Sequence, residues 1–158
     1  MKKEITLDYD HYSTLNDAPK EYQSIIKEAI KAQGKAYAPY SKFRVGSALE
    51  LENGTIIYGS NQENKAYPDG LCAERTALFA YGANHDEHKI VRIGIVGDGA
   101  LLGDKGVLSP CGSCRQVMAE FKMRQKDSFE IVMLNGDGSV IAVSGIEKLL
   151  PLTFGTEH

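Results

Sequence analysis

The sequence predicts an α/β domain, a three-layer α/β/α sandwich built on a five-stranded mixed sheet. Segments of helical period alternate with segments of strand character in the order α-β-β-α-β-α-β-β-α, and such interleaving implies a sheet covered on both faces. Two turn signals, Asn53-Gly54 and Asn135-Gly136-Asp137-Gly138, each join a pair of strands. A chain of 158 residues with no repeat or linker reads as one domain, 1–158, long enough to bury a core.

Residues 1–15 show no period and are expected to lie on the surface as an extension. The first helix follows, with Asn16 or Asp17 as its cap and Pro19 in its first turn. Tyr22, Ile25, Ile26, Ala29 and Ile30 fall on one face, and Gly34 ends the helix. Val45–Leu51 and Ile56–Tyr58 form a hairpin about Asn53-Gly54. The segment from Gly59 to Leu71 is polar, with Pro68 and Gly70, and reads as a loop. A second helix begins at Cys72 with Ala73, Ala77, Leu78 and Tyr81 on one face, and Gly82 is expected to end it. Ile90–Val96 is a buried strand, and residues 97–110 form a glycine-rich loop. A third helix starts near Cys111, and strands Phe129–Leu134 and Val140–Val143 follow. Ser144 with Glu147 reads as a capping box for a short final helix before Pro151.

Composition narrows the function. The formal net charge is −3, which argues against a nucleic-acid or anionic-membrane surface. Nothing approaches the ~20 apolar residues needed to span a bilayer. The N-terminus, with two lysines and no apolar stretch behind them, is not a secretory signal. Three cysteines, an odd and low number, disfavour a disulfide framework and favour a cytoplasmic thiol or metal role.

All three cysteines stand where a loop becomes a helix: Cys72, then Cys111 and Cys114 in a Cys-x-x-Cys. The pair admits a redox role, half of a structural zinc site, or part of a catalytic one. A structural site takes four protein ligands, for which His85 or His88 would have to be recruited from a segment that reads as a solvated loop. A redox pair leaves Cys72 unexplained. Three ligands with a fourth position open is the layout of a catalytic zinc. Three thiolates make the metal electron-rich, so charge must be drawn off the sulfurs. Helix N-termini do this, and so would Arg75 and, with less reason, Arg115, by donating hydrogen bonds to them. Glu74, two residues from a ligand at a helix start, is placed to carry a proton between water and substrate.

Cys72-Ala73-Glu74 and Pro110-Cys111-Gly112-Ser113-Cys114 match the ligand-x-Glu and Pro-Cys-x-x-Cys signature of zinc deaminases. With Tyr40-Ser41-Lys42-Phe43-Arg44-Val45-Gly46, Asn61-Gln62-Glu63-Asn64 and the ending Leu149–Phe154, the chain resembles the small homotetrameric zinc-dependent cytidine deaminases. The resemblance implies a cytidine deaminase-like fold and one Zn²⁺ per subunit on Cys72, Cys111 and Cys114, with Glu74 as proton shuttle. It implies hydrolysis of cytidine and 2′-deoxycytidine to the uridine products in pyrimidine salvage. It further implies that Phe43 packs on the pyrimidine, that Asn61 and Glu63 hold the ribose 3′-hydroxyl, and that the backbone near Ala73 reads the base. Tyr67 and Phe154 would reach a neighbouring subunit's site. Gln62 and Lys65 depart from the family's usual Asn-Val-Glu-Asn-Ala, which leaves room for a modified cytosine nucleoside as substrate. The non-enzymatic rival is a structural-zinc module.

Overall fold

The computed structural model describes residues 1–103 and 105–155. Nine regular elements run in chain order: β1 (Asp10–Tyr12), α1 (Lys20–Gln33), β2 (Arg44–Leu51), β3 (Ile56–Ser60), α2 (Ala73–Asn84), β4 (Ile90–Asp98), α3 (Gly112–Gln125), β5 (Glu130–Leu134) and β6 (Val140–Val143). The strands form one sheet in the order β1-β6-β5-β4-β2-β3. Only β4 and β5 pair in parallel, with Gly94 opposite Val132; the rest pair antiparallel. The sheet is therefore mixed, as expected, but has six strands and not five. The sixth is β1, which pairs with β6 through His11 and Ile141. Its three residues are too few to show a period, so part of the expected surface extension is a sheet edge.

Alternation along the strands sorts the core into two. Ile93 and Ile95 of β4 and Ile131 and Met133 of β5 pack with Leu78 and Tyr81 of α2 and Met118 and Phe121 of α3. Their neighbours Val96 and Val132 pack with Ile25, Ile26 and Ala29 of α1. Two glycines let helices lie directly on strands. A Cβ on Gly46 of β2 would fall 2.1 Å from the carbonyl oxygen of Ala29, and one on Gly59 of β3 would fall 2.3 Å from that of Ala73. The second approach seats the first turn of α2, and with it Cys72 and Glu74.

Several local expectations are corrected. Asp17 closes a 3₁₀ turn, Leu15–Asp17, where its carboxylate accepts from the Thr14 N–H at 3.0 Å; α1 itself begins after Pro19 with no side-chain cap. Ile30 is 45% exposed, at the edge of the apolar face. α2 passes through Gly82 to Asn84, because Gly82 is a packing position: a Cβ there would sit 3.0 Å from the Phe121 ring. The last helix is only a 3₁₀ turn, Ile146–Lys148, capped by Gly145; Glu147 instead pairs with Lys122 at 3.0 Å. The hairpin at Asn53-Gly54 forms as read, with Gly54 at φ 83°.

Candidate active site

Cys72 caps α2 and Cys111 caps α3, both in extended backbone, and Cys114 lies in the first turn of α3. Two helix starts thus aim their free N–H groups at one point, where partial positive charge favours anionic sulfur. The Cys72 and Cys111 sulfurs are 3.9 Å apart and those of Cys111 and Cys114 3.4 Å. All three lie within 4.8 Å of one another, and among the described residues they are the only such cluster of potential metal ligands. Cys114 is buried, Cys72 half-buried and Cys111 exposed.

The electrostatics of this cluster are crowded. The neighbouring Cys114 thiol and the Arg75 guanidinium, which donates to Cys72, hold the Cys72 thiol down at about 5. Arg75 Nη2 donates to Cys72 Sγ at 3.5 Å, while Arg75 Nε is buried without a partner. The same contact with Cys72, together with burial, pushes the Cys114 thiol up. Burial pushes the Glu74 carboxyl up to about 7, and negative charge on Cys72 adds to the shift. Two sulfurs, Cys72 and Cys114, and the Glu74 carboxylate at 5% exposure therefore compete for one guanidinium. A divalent cation removes that conflict. Three thiolate donors, an open side at Cys111 and a carboxylate buried beside them fit zinc with one position left for a water.

Beside this cluster lies a cleft of 460 Å³ lined by Tyr40, Ser41, Asn61 to Asn64, Tyr67, Gly70, Leu71, Cys72 and Arg75. Of the residues singled out from sequence, Asn61, Glu63, Tyr67, Cys72 and Arg75 thus share one wall. Glu63 accepts from the Tyr40 N–H at 2.9 Å, the Ser41 N–H at 3.2 Å and the Ser41 hydroxyl. The last of these, with the two backbone donors, holds its carboxyl below the ordinary glutamate value. Asn61 uses both ends of its amide on backbone: Nδ2 donates to Phe43 O and Oδ1 accepts from Val45 N, each at 2.8 Å. The Phe43 ring is half-buried and rests where Gly97 has no side chain, since a Cβ there would lie 2.8 Å from the ring. Ala73 is fully buried, with its carbonyl packed against Gly59 of β3.

Arg115 does not reach the thiols. Its Nε donates to Pro110 O at 2.8 Å, Nη1 to Leu149 O at 2.7 Å and Nη2 to Ser109 Oγ at 2.8 Å. It ties down the turn before Cys111 and the C-terminal segment. Phe154 is 86% exposed and Tyr67 75% exposed; Tyr67 meets Tyr40 edge-on with ring centroids 6.0 Å apart. His85 and His88 are exposed at the far end of α2, and neither belongs to the ligand cluster. Sequence reading assigned no role to Tyr40 and Ser41, although they stand in the quoted Tyr40–Gly46 motif. The available signal was a serine two residues before the aromatic assigned to the base.

Three cysteines gathered at two helix starts, a buried glutamate two residues from a ligand and an adjoining polar cleft define a zinc deaminase-type site. The family model for the cytidine and deoxycytidylate deaminase zinc-binding region matches residues 19–127. The chain is 44% identical to a cytidine deaminase of Halalkalibacterium halodurans over 136 residues, 85% of this chain and 95% of that one. It is 40% identical to a cytidine deaminase of Sporosarcina psychrophila over 137 residues, 87% and 93% of the two chains. The crystal structure of cytidine deaminase from Burkholderia pseudomallei superposes with a TM-score of 0.71 at 39% identity, covering 84% of this chain and 98% of that one. The chain belongs to the cytidine and deoxycytidylate deaminase family.

Proposed function

We propose that this protein hydrolyses cytidine and 2′-deoxycytidine to uridine and 2′-deoxyuridine, releasing ammonia, in pyrimidine salvage. The observation that carries this is the convergence of Cys72, Cys111 and Cys114 beside a Glu74 carboxylate that is 5% exposed. Cys72, Cys111 and Cys114 would hold the zinc, which when bound acidifies a water and polarises the reacting centre.

The chain's own groups do the rest. Glu74 takes one proton from the attacking water and delivers it to N3 of the cytosine ring, then takes a second from the hydroxyl added at C4 and delivers it to the departing amine. A carboxyl held near neutrality by burial is suited to give and take in turn. Arg75 stabilises the Cys72 thiolate through its hydrogen bond. Phe43 packs on the base and Glu63 accepts from the ribose 3′-hydroxyl. Asn61, whose amide already holds Phe43 and Val45, serves the ribose by fixing the wall of the cleft. Backbone near Ala73 reads the base.

The chain acts as one domain with helices layered on both faces of the sheet, in the cytoplasm. Its working form is a homotetramer, supported by two exposed aromatics, Tyr67 and Phe154, that are little buried within their own subunit. Among the described residues no helix is long and apolar enough to cross a membrane. The test is ultraviolet absorbance of the zinc-replete protein with each nucleoside, with uridine or 2′-deoxyuridine identified as product. No absorbance loss on either nucleoside with zinc bound would refute the assignment.

A further inference from the structure

We propose that Ser41 is a positioning residue for the substrate cleft: its single hydroxyl locks the carboxylate of Glu63 and the backbone of Phe43 into one geometry. The hydroxyl donates to Glu63 Oε1 and accepts from the Phe43 N–H at 3.0 Å. The Ser41 N–H donates to the other carboxylate oxygen at 3.2 Å. Asn61 completes the frame by accepting and donating on either side of Arg44. Lys42, between Ser41 and Phe43, is held at φ 58°, a left-handed conformation unfavourable for a residue with a Cβ. Strain of that kind persists only where surrounding contacts over-determine the backbone, and the Ser41 hydroxyl supplies such contacts on both sides of Lys42.

The consequence is a coupling. A carboxylate offers about four acceptor sites. Three are filled from Tyr40 and Ser41, so one direction remains for a hydroxyl of the sugar. Removing the Ser41 hydroxyl frees Glu63 Oε1 to rotate and leaves the Phe43 N–H without its acceptor. The ribose contact and the base contact then loosen together. The role rests on the nucleoside-binding reading of the cleft, and it acts on binding, since Ser41 lies outside the thiol cluster.

The experiment compares Ser41→Ala, Ser41→Thr, Glu63→Gln and the Ser41→Ala/Glu63→Gln double variant as zinc-replete enzymes. For Ser41→Ala, KM for cytidine rises about tenfold, a loss of about 1.4 kcal/mol, while kcat falls by less than about threefold. Ser41→Thr, which keeps the hydroxyl, restores KM. The double variant is worse than Glu63→Gln by much less than the Ser41→Ala penalty alone, because the Glu63 arm of the lock is already lost and only the Phe43 arm remains. The Ser41→Ala penalty also shrinks with 3′-deoxycytidine, which lacks the hydroxyl that Glu63 would hold. An unchanged KM in Ser41→Ala, or additive losses in the double variant, overturns the proposal. Hydrogen exchange of the Phe43 amide is read in parallel. It quickens in Ser41→Ala and not in Ser41→Thr if the lock exists, and unaltered protection overturns it. Should the wild type fail on cytidine, the substrate reading fails while the exchange measurement still decides the lock.

Discussion

Gly59→Ala tests whether the seat of α2 on β3 sets the metal geometry. The new Cβ would lie 2.3 Å from the carbonyl oxygen of Ala73, 2.5 Å from the Ala77 nitrogen and 2.8 Å from the Ala77 Cβ. All three are helix atoms that no rotamer change can move. Ordinary contact is about 3.5 Å, so the first turn of α2 must retreat by about 1 Å. Overpacking of this kind costs about 1–3 kcal/mol. The retreat carries Cys72 and Glu74 away from Cys111 and Cys114, which ride on α3. Ligand positions must hold to about 0.2 Å, so zinc affinity falls with stability. A displacement of about 1 Å at the reacting groups costs about a hundredfold in kcat. Gly46→Ala is the control, since its Cβ would lie 2.1 Å from Ala29 O and 2.4 Å from Gln33 N and so displaces α1, which carries no site residue. Urea midpoints should drop in both variants. Competition with a chromogenic chelator should show faster zinc loss only in Gly59→Ala. Equal zinc retention in the two variants, or a Gly59→Ala midpoint matching wild type, would show the reasoning to be wrong.

Glu74→Gln keeps volume and zinc but removes the proton carrier, and turnover of cytidine should fall by about 10⁴-fold; activity within tenfold of wild type would remove Glu74 from that role. Arg75→Gln should weaken zinc retention by about 10–100-fold through loss of the hydrogen bond to Cys72, which chelator titration reads directly. Both His85→Ala and His88→Ala should keep a full zinc equivalent by metal analysis, and loss from either would restore the structural-zinc module. Removing zinc should lower Tm by about 5–10 °C when the comparison is made at free zinc a hundredfold above Kd; identical Tm with and without metal would argue that the site adds nothing to the folded state.

The legible parts of the fold were those where one chemical signal decides the outcome. Asn53-Gly54 formed its hairpin because the turn needs positive φ, and α1 formed on the face read from Tyr22 to Ala29 because burial enforces a 3.6-residue period. Strand β1 was illegible because three residues, Asp10–Tyr12, carry no period and are recruited by the free edge of β6. Gly82 misled because a glycine can end a helix or admit a neighbour, and only the Phe121 ring on α3 decides between them. Its helix continues because close packing there outweighs a propensity cost of about 1 kcal/mol.

The site divides along the same line. Spacing brought out Cys72, Cys111, Cys114 and Glu74, since ligand and proton carrier share one helix start and the remaining ligands another. Residue type did not reveal where donors and acceptors are spent. Arg75 and Arg115 both stand near the start of a helix that carries ligands, one after Cys72 and the other directly after Cys114, yet only Arg75 donates to sulfur. Arg115 meets the carbonyls of Pro110 and Leu149 first, because the loop before α3 and the C-terminal segment both cross its reach. Asn61 likewise commits one donor and one acceptor of its amide to the backbone at the start of β2. A guanidinium or an amide binds the nearest unpaired partner that the fold supplies, since each carbonyl or N–H left buried and unpaired costs about 1–3 kcal/mol. Motifs therefore fix which groups are present, whereas the competition among unsatisfied backbone groups, a property of the assembled loops, fixes which remain free for substrate.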